Sequence, residues 1–72
     1  MKANEALKSF VDKIESKDAA KARSIVKQIK EECGVSSFVY SNWRLGRTPI
    51  GKLQRDKISE IAGYNVFNNV ID

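Results

Sequence analysis

Gly34 is the residue that most constrains how this chain folds, because the sequence pattern changes on both sides of it. The apolar residues before it recur at helical spacings of three and four: Ile25, Val26, Ile29 and Cys33. A helix with this stripe is expected to end in a left-handed residue, a conformation that glycine adopts without steric cost. After the turn, Val35 can fold back as a hydrophobic anchor and Ser36 can cap a new helix. The sequence therefore predicts two helices joined by a tight turn at Gly34.

The helix after the turn is predicted from Ser36 to Leu45 and has two distinct faces. Val39, Tyr40 and Trp43 form an apolar stripe, and Gly46 is a natural stop. The residues outside the stripe are rich in hydrogen-bonding groups: Ser37, Phe38, Ser41, Asn42 and Arg44. Two helices, a tight glycine turn and one buried stripe are typical of a helix-turn-helix.

The stretch from Lys21 to Ile61 resembles the helix-turn-helix of the lambda-repressor-like, or Cro-like, DNA-binding family. The matching residues are Gly34 in the turn with Val35 after it, Ile29, Tyr40 and Trp43 at the family's spacings, and the ending Leu45, Gly46, Arg47, Thr48 and Pro49. One position departs from the family, which prefers Ala or Gly four residues before the turn glycine, where this chain has Lys30. A lysine stem can lie along an apolar surface while its amine stays in water.

The resemblance implies that helix 36–45 lies in the major groove of DNA, where all four base pairs can be distinguished. The base-reading positions that it implies are Ser36, Ser37, Phe38, Ser41 and Asn42. The Asn42 amide can bond adenine, and Phe38 can contact a thymine methyl group. The sequence alone also allows Asn42 to be a plain surface residue and Phe38 to pack in the core.

Basic residues follow the predicted reading face directly and indicate contacts with phosphates. From the end of this face to Lys57, Asp56 is the only acidic residue among them. Helix two adds polar residues on its outer surface, and backbone amides near residues 48–51 could bind a phosphate at the start of the fourth helix. The predicted phosphate-binding residues are Lys21, Arg23, Ser24, Arg44, Arg47, Thr48, Lys52 and Arg55.

The remaining pattern predicts an all-α fold, a compact four-helix domain with a central helix-turn-helix. Helix one is expected over Ala3–Glu15 and helix two over Ala19–Cys33, with Asp18 as its cap. Helix four is expected over about 49–62, with Thr48 as cap and Pro49 as its first residue. Its predicted apolar stripe contains Ile50, Leu53, Lys57, Ile58, Ile61 and Ala62. The single domain thus spans 1–72, with the motif at about 21–46.

The segment 64–72 is too apolar to be an idle tail, and it is expected either as a packed tail or as a short fifth helix. The favoured arrangement packs Tyr64 and Phe67 back on helix one. The alternative is that Val70 and Ile71 are exposed in the monomer and buried against a second copy.

The composition indicates a soluble basic domain, and we expect it to bind no cofactor. A chain of 72 residues has room for one core, and its net charge of +4 suits a polyanionic partner. It has one cysteine and no histidine, so we expect no metal site and no enzyme activity. No apolar run approaches the roughly 20 residues of a membrane span, so a cytoplasmic protein is expected, associated with the nucleoid in a prokaryote.

Two hypotheses follow for the function. The first is a sequence-specific DNA-binding protein, a transcriptional regulator of the repressor type. Its partner is double-stranded DNA, and useful affinity requires a homodimer on two half-sites or a partner domain in another chain. The second is a small helical protein-interaction module, such as an antitoxin or an adaptor, in which Phe38, Tyr40 and Trp43 form the patch that binds the partner.

Overall fold

The computed structural model describes residues 2–68 and 70, and within them the chain forms four helices and no strand. Helix α1 spans Ala3–Lys17, α2 spans Ala19–Cys33, α3 spans Ser37–Leu45 and α4 spans Lys52–Ala62. The predicted all-α fold is confirmed. The predicted bounds of the first three helices agree with the observed ones to within two residues.

The core lies between α1 and the other three helices. Helix α1 packs against α2 and α3, and α2 also packs against α4. Leu7 of α1, Ile29 of α2 and Ile58 of α4 have no exposed surface. Around them lie the other buried members of one apolar cluster: Ala6, Phe10, Val11, Tyr40, Trp43, Ile50 and Phe67.

The turn at Gly34 has the predicted left-handed geometry, with φ of +67°. The Gly34 N–H donates to the Glu31 carbonyl at 3.3 Å, and the Val35 N–H donates to the Lys30 carbonyl at 3.0 Å. This pair of bonds is a Schellman motif, which satisfies carbonyls that the end of a helix leaves unpaired. Val35 is half-buried against the core, as expected for its anchor role.

Two of the three predicted N-caps, Asp18 and Ser36, are confirmed. The Ser36 hydroxyl accepts a hydrogen bond from the Val39 N–H at 3.2 Å, and the Asp18 carboxylate accepts one from the Lys21 N–H at 3.1 Å. Each bond satisfies an amide that has no partner within the helix itself. The α1–α2 and α2–α3 connections are short because each new helix is capped at once.

The predicted start of the fourth helix is wrong. Thr48 is not its cap and Pro49 is not its first residue, since 49–51 are outside any helix and α4 begins at Lys52 after Gly51. The extended stretch carries Ile50 into the core, where it is only 5% exposed, before the helix begins. Pro49 does precede a helix, as its sequence position indicates. The helix begins only after Ile50 has entered the core.

Two members of the predicted α4 stripe do not face the core. Leu53 is 77% exposed and Lys57 is also exposed, whereas Ile58 is fully buried. Leu53 and Ile58 are five residues apart, which places their side chains about 140° apart around a helix of 3.6 residues per turn. The helix can therefore bury only one of them, and it buries Ile58 together with half-buried Ile61 and Ala62.

The segment after α4 folds back on the domain, and the part described is a packed turn without a fifth helix. Phe67 is 9% exposed, so its predicted burial is confirmed. Tyr64 remains more than half exposed, yet its ring meets Phe10 edge to face with 5.9 Å between centroids. Val70 is half-buried against the core rather than free for a second copy, and Ile71 lies outside the described residues.

The two apolar residues of α4 provide a matched test of this packing. We expect Ile58→Val to lower the free energy of unfolding by about 1 kcal/mol, because it removes one methylene from a filled site. Leu53→Ala should change it by less than about 0.5 kcal/mol, because little of that side chain is buried. Urea denaturation followed by circular dichroism measures both values. A larger loss for Leu53→Ala than for Ile58→Val would contradict the observed rotation of α4.

Candidate nucleic-acid interface

Helix α3 separates its aromatic residues cleanly between core and solvent. Tyr40 and Trp43 are 5% and 4% exposed, while Phe38 is 75% exposed. The alternative that Phe38 packs in the core is therefore wrong. Ser41 is also exposed, and Asn42 is half-buried beside them. The helix is thus fixed by one face and presents an aromatic ring, a hydroxyl and an amide on the other.

The two serines that open this face already have partners. The Ser36 hydroxyl oxygen is the α3 cap. The Ser37 hydroxyl accepts a hydrogen bond from the Lys30 ammonium at 3.1 Å, so the stem of Lys30 bridges from α2 to the first residue of α3. Both serines remain exposed. Each hydroxyl therefore keeps a proton that it can donate to another group.

The C-terminal end of α3 is held by Asn4, a residue of α1 that sequence reasoning missed. Its side-chain N–H groups donate to the Trp43 carbonyl at 2.7 Å and to the Thr48 carbonyl at 2.9 Å. These bonds join residues about 40 positions apart, so no local pattern announces them. Gly46 ends α3 in the predicted left-handed conformation, with φ of +76°, and Asn4 holds that end and the following segment to α1.

Arg44 is predicted to bind phosphate, but here it forms an ion pair with Asp12 of α1 at 2.9 Å. Both side chains are partly exposed, so the pair contributes at most about 1 kcal/mol after solvent screening. The Arg44 Nε atom is buried and has no hydrogen-bond partner among the described residues. Asp12 is not among the residues that the sequence singled out, and this contact was missed.

The other predicted phosphate-binding residues near α3 are accessible. Arg47, Thr48 and Lys52 are exposed, and Arg55 is half-buried. Lys52 lies 3.5 Å from Asp56, but both are well exposed, so the contact is weak. No side chain in the described part of the chain caps the first turn of α4. Its amide donors therefore begin at Lys52, a few residues later than predicted.

The three predicted residues of α2 are all exposed but do not form one group. Arg23 lines a cavity with Tyr40 and Arg44, and so lies beside α3. Lys21 lines a separate depression with Lys17 of α1 and Tyr64 of the tail. The structure thus brings Arg23 close to α3 and leaves Lys21 apart from it.

The positive charge of the protein is concentrated in one segment. Residues 44–57 contain five basic residues and one acidic residue, a net charge of +4. All other positions together contain eight basic and eight acidic residues, so the net charge of the whole chain comes from this stretch. The segment covers the end of α3, the connection after it and the first half of α4. A polyanion would be attracted to this segment.

The Tyr40 hydroxyl lies in the interior, on the buried face of α3. It has no hydrogen-bond partner among the described residues. Burial raises the pKa of Tyr40 above its ordinary value of 10.0, and the carboxylates of Asp12 and Glu15 add to the shift against the opposing effect of Arg44. A buried hydroxyl without a partner costs roughly 1–3 kcal/mol.

Cys33 has the character of a core residue. Its thiol lies 3.9 Å from the Gln54 carbonyl, and burial, assisted by the Glu32 carboxylate, raises its pKa.

Within residues 2–68 and 70 there is no cluster of three or more candidate metal ligands. The described helices include none long and apolar enough to cross a membrane.

The aromatic patch proposed for a protein partner is not present as predicted. Tyr40 and Trp43 are core residues, and only Phe38 of that set reaches solvent. Four large apolar side chains of the described chain are exposed. They lie on α3, on α4 and in the tail: Phe38, Leu45, Leu53 and Tyr64.

Comparison with known proteins adds no assignment. No family model matches the chain, and searches of curated proteins and of solved structures found no match.

Asn4 gives a direct test of how the interface is held. We expect Asn4→Asp to lower the free energy of unfolding by about 1–2 kcal/mol, because it replaces two donated hydrogen bonds with a carboxylate facing two carbonyls. An acidic residue in the first turn of a helix is otherwise favourable, so a loss reports on the lost bonds. Gln28→Ala, which removes an exposed amide bonded to Glu32, is the control and should cost less than about 0.5 kcal/mol. Equal losses for both variants in thermal denaturation would show that the Asn4 contacts do not hold α3.

Proposed function

We propose that this protein binds double-stranded DNA sequence-specifically and acts as a transcriptional regulator of the repressor type, with α3 in the major groove. The observation that carries the proposal is the outward face of α3, on which Phe38 is held in solvent while Tyr40 and Trp43 fix the opposite face. An exposed aromatic ring on a well-anchored helix is available to contact a partner, and the fixed helix holds it in one position. A helix of this size fits the major groove.

The charge distribution favours DNA over an apolar partner. The net charge of +4 between residues 44 and 57 lies directly after the exposed face of α3. Arg47 and Lys52 are the exposed cations of this stretch closest in sequence to α3, and the uncapped amides of α4 begin at the same place. Cations and helix N-termini are the groups that bind phosphates, and they would set the register of α3 on the duplex.

Roles for the individual residues follow from their chemistry. Phe38 would contact a thymine methyl group, and Asn42 would bond the N6 and N7 positions of adenine. Ser37 and Ser41 can donate to bases or to phosphates. Arg44 is assigned a positioning role through Asp12 rather than a free phosphate contact, since its guanidinium is already paired.

A short recognition helix reads few base pairs. Useful affinity for one operator would therefore come from two copies of the chain on half-sites about one helical turn apart, or from a second domain in a partner chain. Leu45 and Leu53 are exposed at the end of α3 and the start of α4, and either contact could use them.

The first experiment is a fluorescence anisotropy titration of a random-sequence duplex at about 50 and 200 mM salt. If about four phosphates are contacted, affinity should fall by about two orders of magnitude between the two conditions. Arg47→Gln should reduce the slope of log affinity against log salt by about one. Lys8→Gln removes the same charge from the exposed surface of α1, away from the proposed interface, and should leave the slope unchanged.

The outcomes separate the two function hypotheses. Binding that weakens steeply with salt and depends on Arg47 supports the DNA-binding hypothesis. Absence of binding at 50 mM salt would refute it and favour the protein-interaction module, now restricted to Phe38 among the three aromatics first considered. Equal effects of Arg47→Gln and Lys8→Gln would show a non-specific electrostatic contact without the proposed surface.

A second stage tests base reading after a preferred duplex has been selected. Phe38→Ala and Asn42→Ala should each lower affinity for that duplex by about tenfold, within the range expected for one base contact, and should leave random-sequence binding unchanged. Phe38 is exposed, so its substitution should not lower stability. If both variants weaken binding to every duplex equally, α3 does not read bases.

A further inference from the structure

A cavity of about 460 Å³ opens between the first three helices, away from the exposed face of α3. Val11 and Glu15 of α1, Ala22 and Val26 of α2, and Tyr40 and Arg44 of α3 line it, together with Ala19, Arg23 and Lys30. The small side chains of the two alanines leave this space open. Its volume is within the range of small-molecule sites, roughly 300–1,000 Å³.

Two polar atoms at this cavity lack the partners that buried groups normally have. The Tyr40 hydroxyl and the Arg44 Nε atom are both buried without a hydrogen bond within the described chain. Both belong to residues that line the cavity, and both can donate a proton. Most buried polar groups are satisfied, so two orphans at one cavity point to a missing acceptor.

The charges around the cavity define the acceptor. Arg23, Lys30 and Arg44 are cationic, whereas Glu15 of the lining and Asp12, the ion-pair partner of Arg44, are anionic. These groups sum to a net charge of +1, which a single negative charge on an occupant would balance. Val11, Ala22 and Val26 offer an apolar wall to the rest of that molecule.

We propose that this cavity is a binding site for a small organic monoanion, a carboxylate with an apolar body, whose oxygens accept hydrogen bonds from Tyr40 and Arg44. The carboxylate accepts from the two donors that have no partner among the described residues, and Arg23 and Lys30 add electrostatic attraction. The apolar body lies against Val11 and Val26. Both donor atoms have essentially no accessible surface, so side chains that line the cavity shift when the occupant reaches them.

Such a ligand would join three helices. It contacts α1, α2 and α3 at once, so it binds the folded state and raises the melting temperature by mass action. This prediction does not depend on DNA binding, and its failure would leave the proposed function of α3 untouched.

The test uses benzoate and hexanoate as probes and benzamide as the neutral analogue of benzoate. We expect each carboxylate, at about ten times its Kd, to raise the melting temperature by about 5 °C or more, and benzamide to have no effect. In two-dimensional ¹H–¹⁵N NMR spectra, the amide signals that move most should include those of Ala22, Val26 and Tyr40. The Kd of each probe is taken from the change of these amide signals as the probe is titrated.

Two matched pairs of variants separate a built site from loose ion binding. Tyr40→Phe removes the orphan hydroxyl and should weaken benzoate binding about tenfold, the factor expected for a hydrogen bond to a charged group. Tyr64→Phe removes an exposed tyrosine hydroxyl outside the cavity and should leave the Kd unchanged. Likewise Arg23→Gln should weaken binding, while Lys27→Gln on the exposed surface of α2 should not.

Tyr40→Phe is also informative without ligand. Because it removes a buried hydroxyl that has no partner in the described part of the chain, the variant should be at least as stable as the parent protein, so weaker binding cannot be attributed to misfolding. The proposal is overturned if neither carboxylate binds at millimolar concentration, if benzamide binds as well as benzoate, or if Tyr40→Phe leaves the Kd unchanged.

Discussion

The arrangement of α2 and α3 depends on the left-handed turn at Gly34. A Cβ built at Gly34 would meet no atom within 4 Å, so a side chain is disfavoured there by the φ of +67° and not by lack of space. The turn lets Val35 reach the core and Ser36 cap α3 directly afterwards. Tyr40 and Trp43 therefore enter the same core as Ile29, and Phe38 is left on the outside.

Contacts from α1 complete this arrangement. Asn4 holds the last turn of α3 and the segment beyond it, and Asp12 forms a partly exposed ion pair with Arg44. A helix fixed at its start by a cap, along one face by two buried rings and at its end by Asn4 has little freedom to rotate. A surface presented by such a helix is pre-organised, which lowers the entropic cost of binding a rigid partner such as a duplex.

The sequence predicted those parts of the fold that depend on neighbouring residues. The helical periods of α1 to α3, the caps at Asp18 and Ser36 and the glycine at 34 act within a few positions, and these were confirmed. The start of α4 was wrong because its position depends on the burial of Ile50 and on Asn4, more than 40 residues away. The rotation of α4 was wrong for a related reason, since Leu53 and Ile58 are both apolar and only packing against α2 selects between them. In the candidate interface, the exposure of α3 followed from its period, whereas the pairing of Arg44 and the cavity beside Tyr40 depend on contacts between helices and have no local signal.

The proposed function requires that α3 and the basic segment after it form the surface that meets DNA. A ¹H–¹⁵N NMR titration of the protein with a short duplex at low salt tests this claim most directly, since it locates the contact residue by residue. The account predicts that the largest changes fall on the amides of α3 and of residues 46–52, with little change at Lys8 and Lys13 of α1. Changes centred on α1 or on the tail around Tyr64, with α3 unaffected, would contradict it.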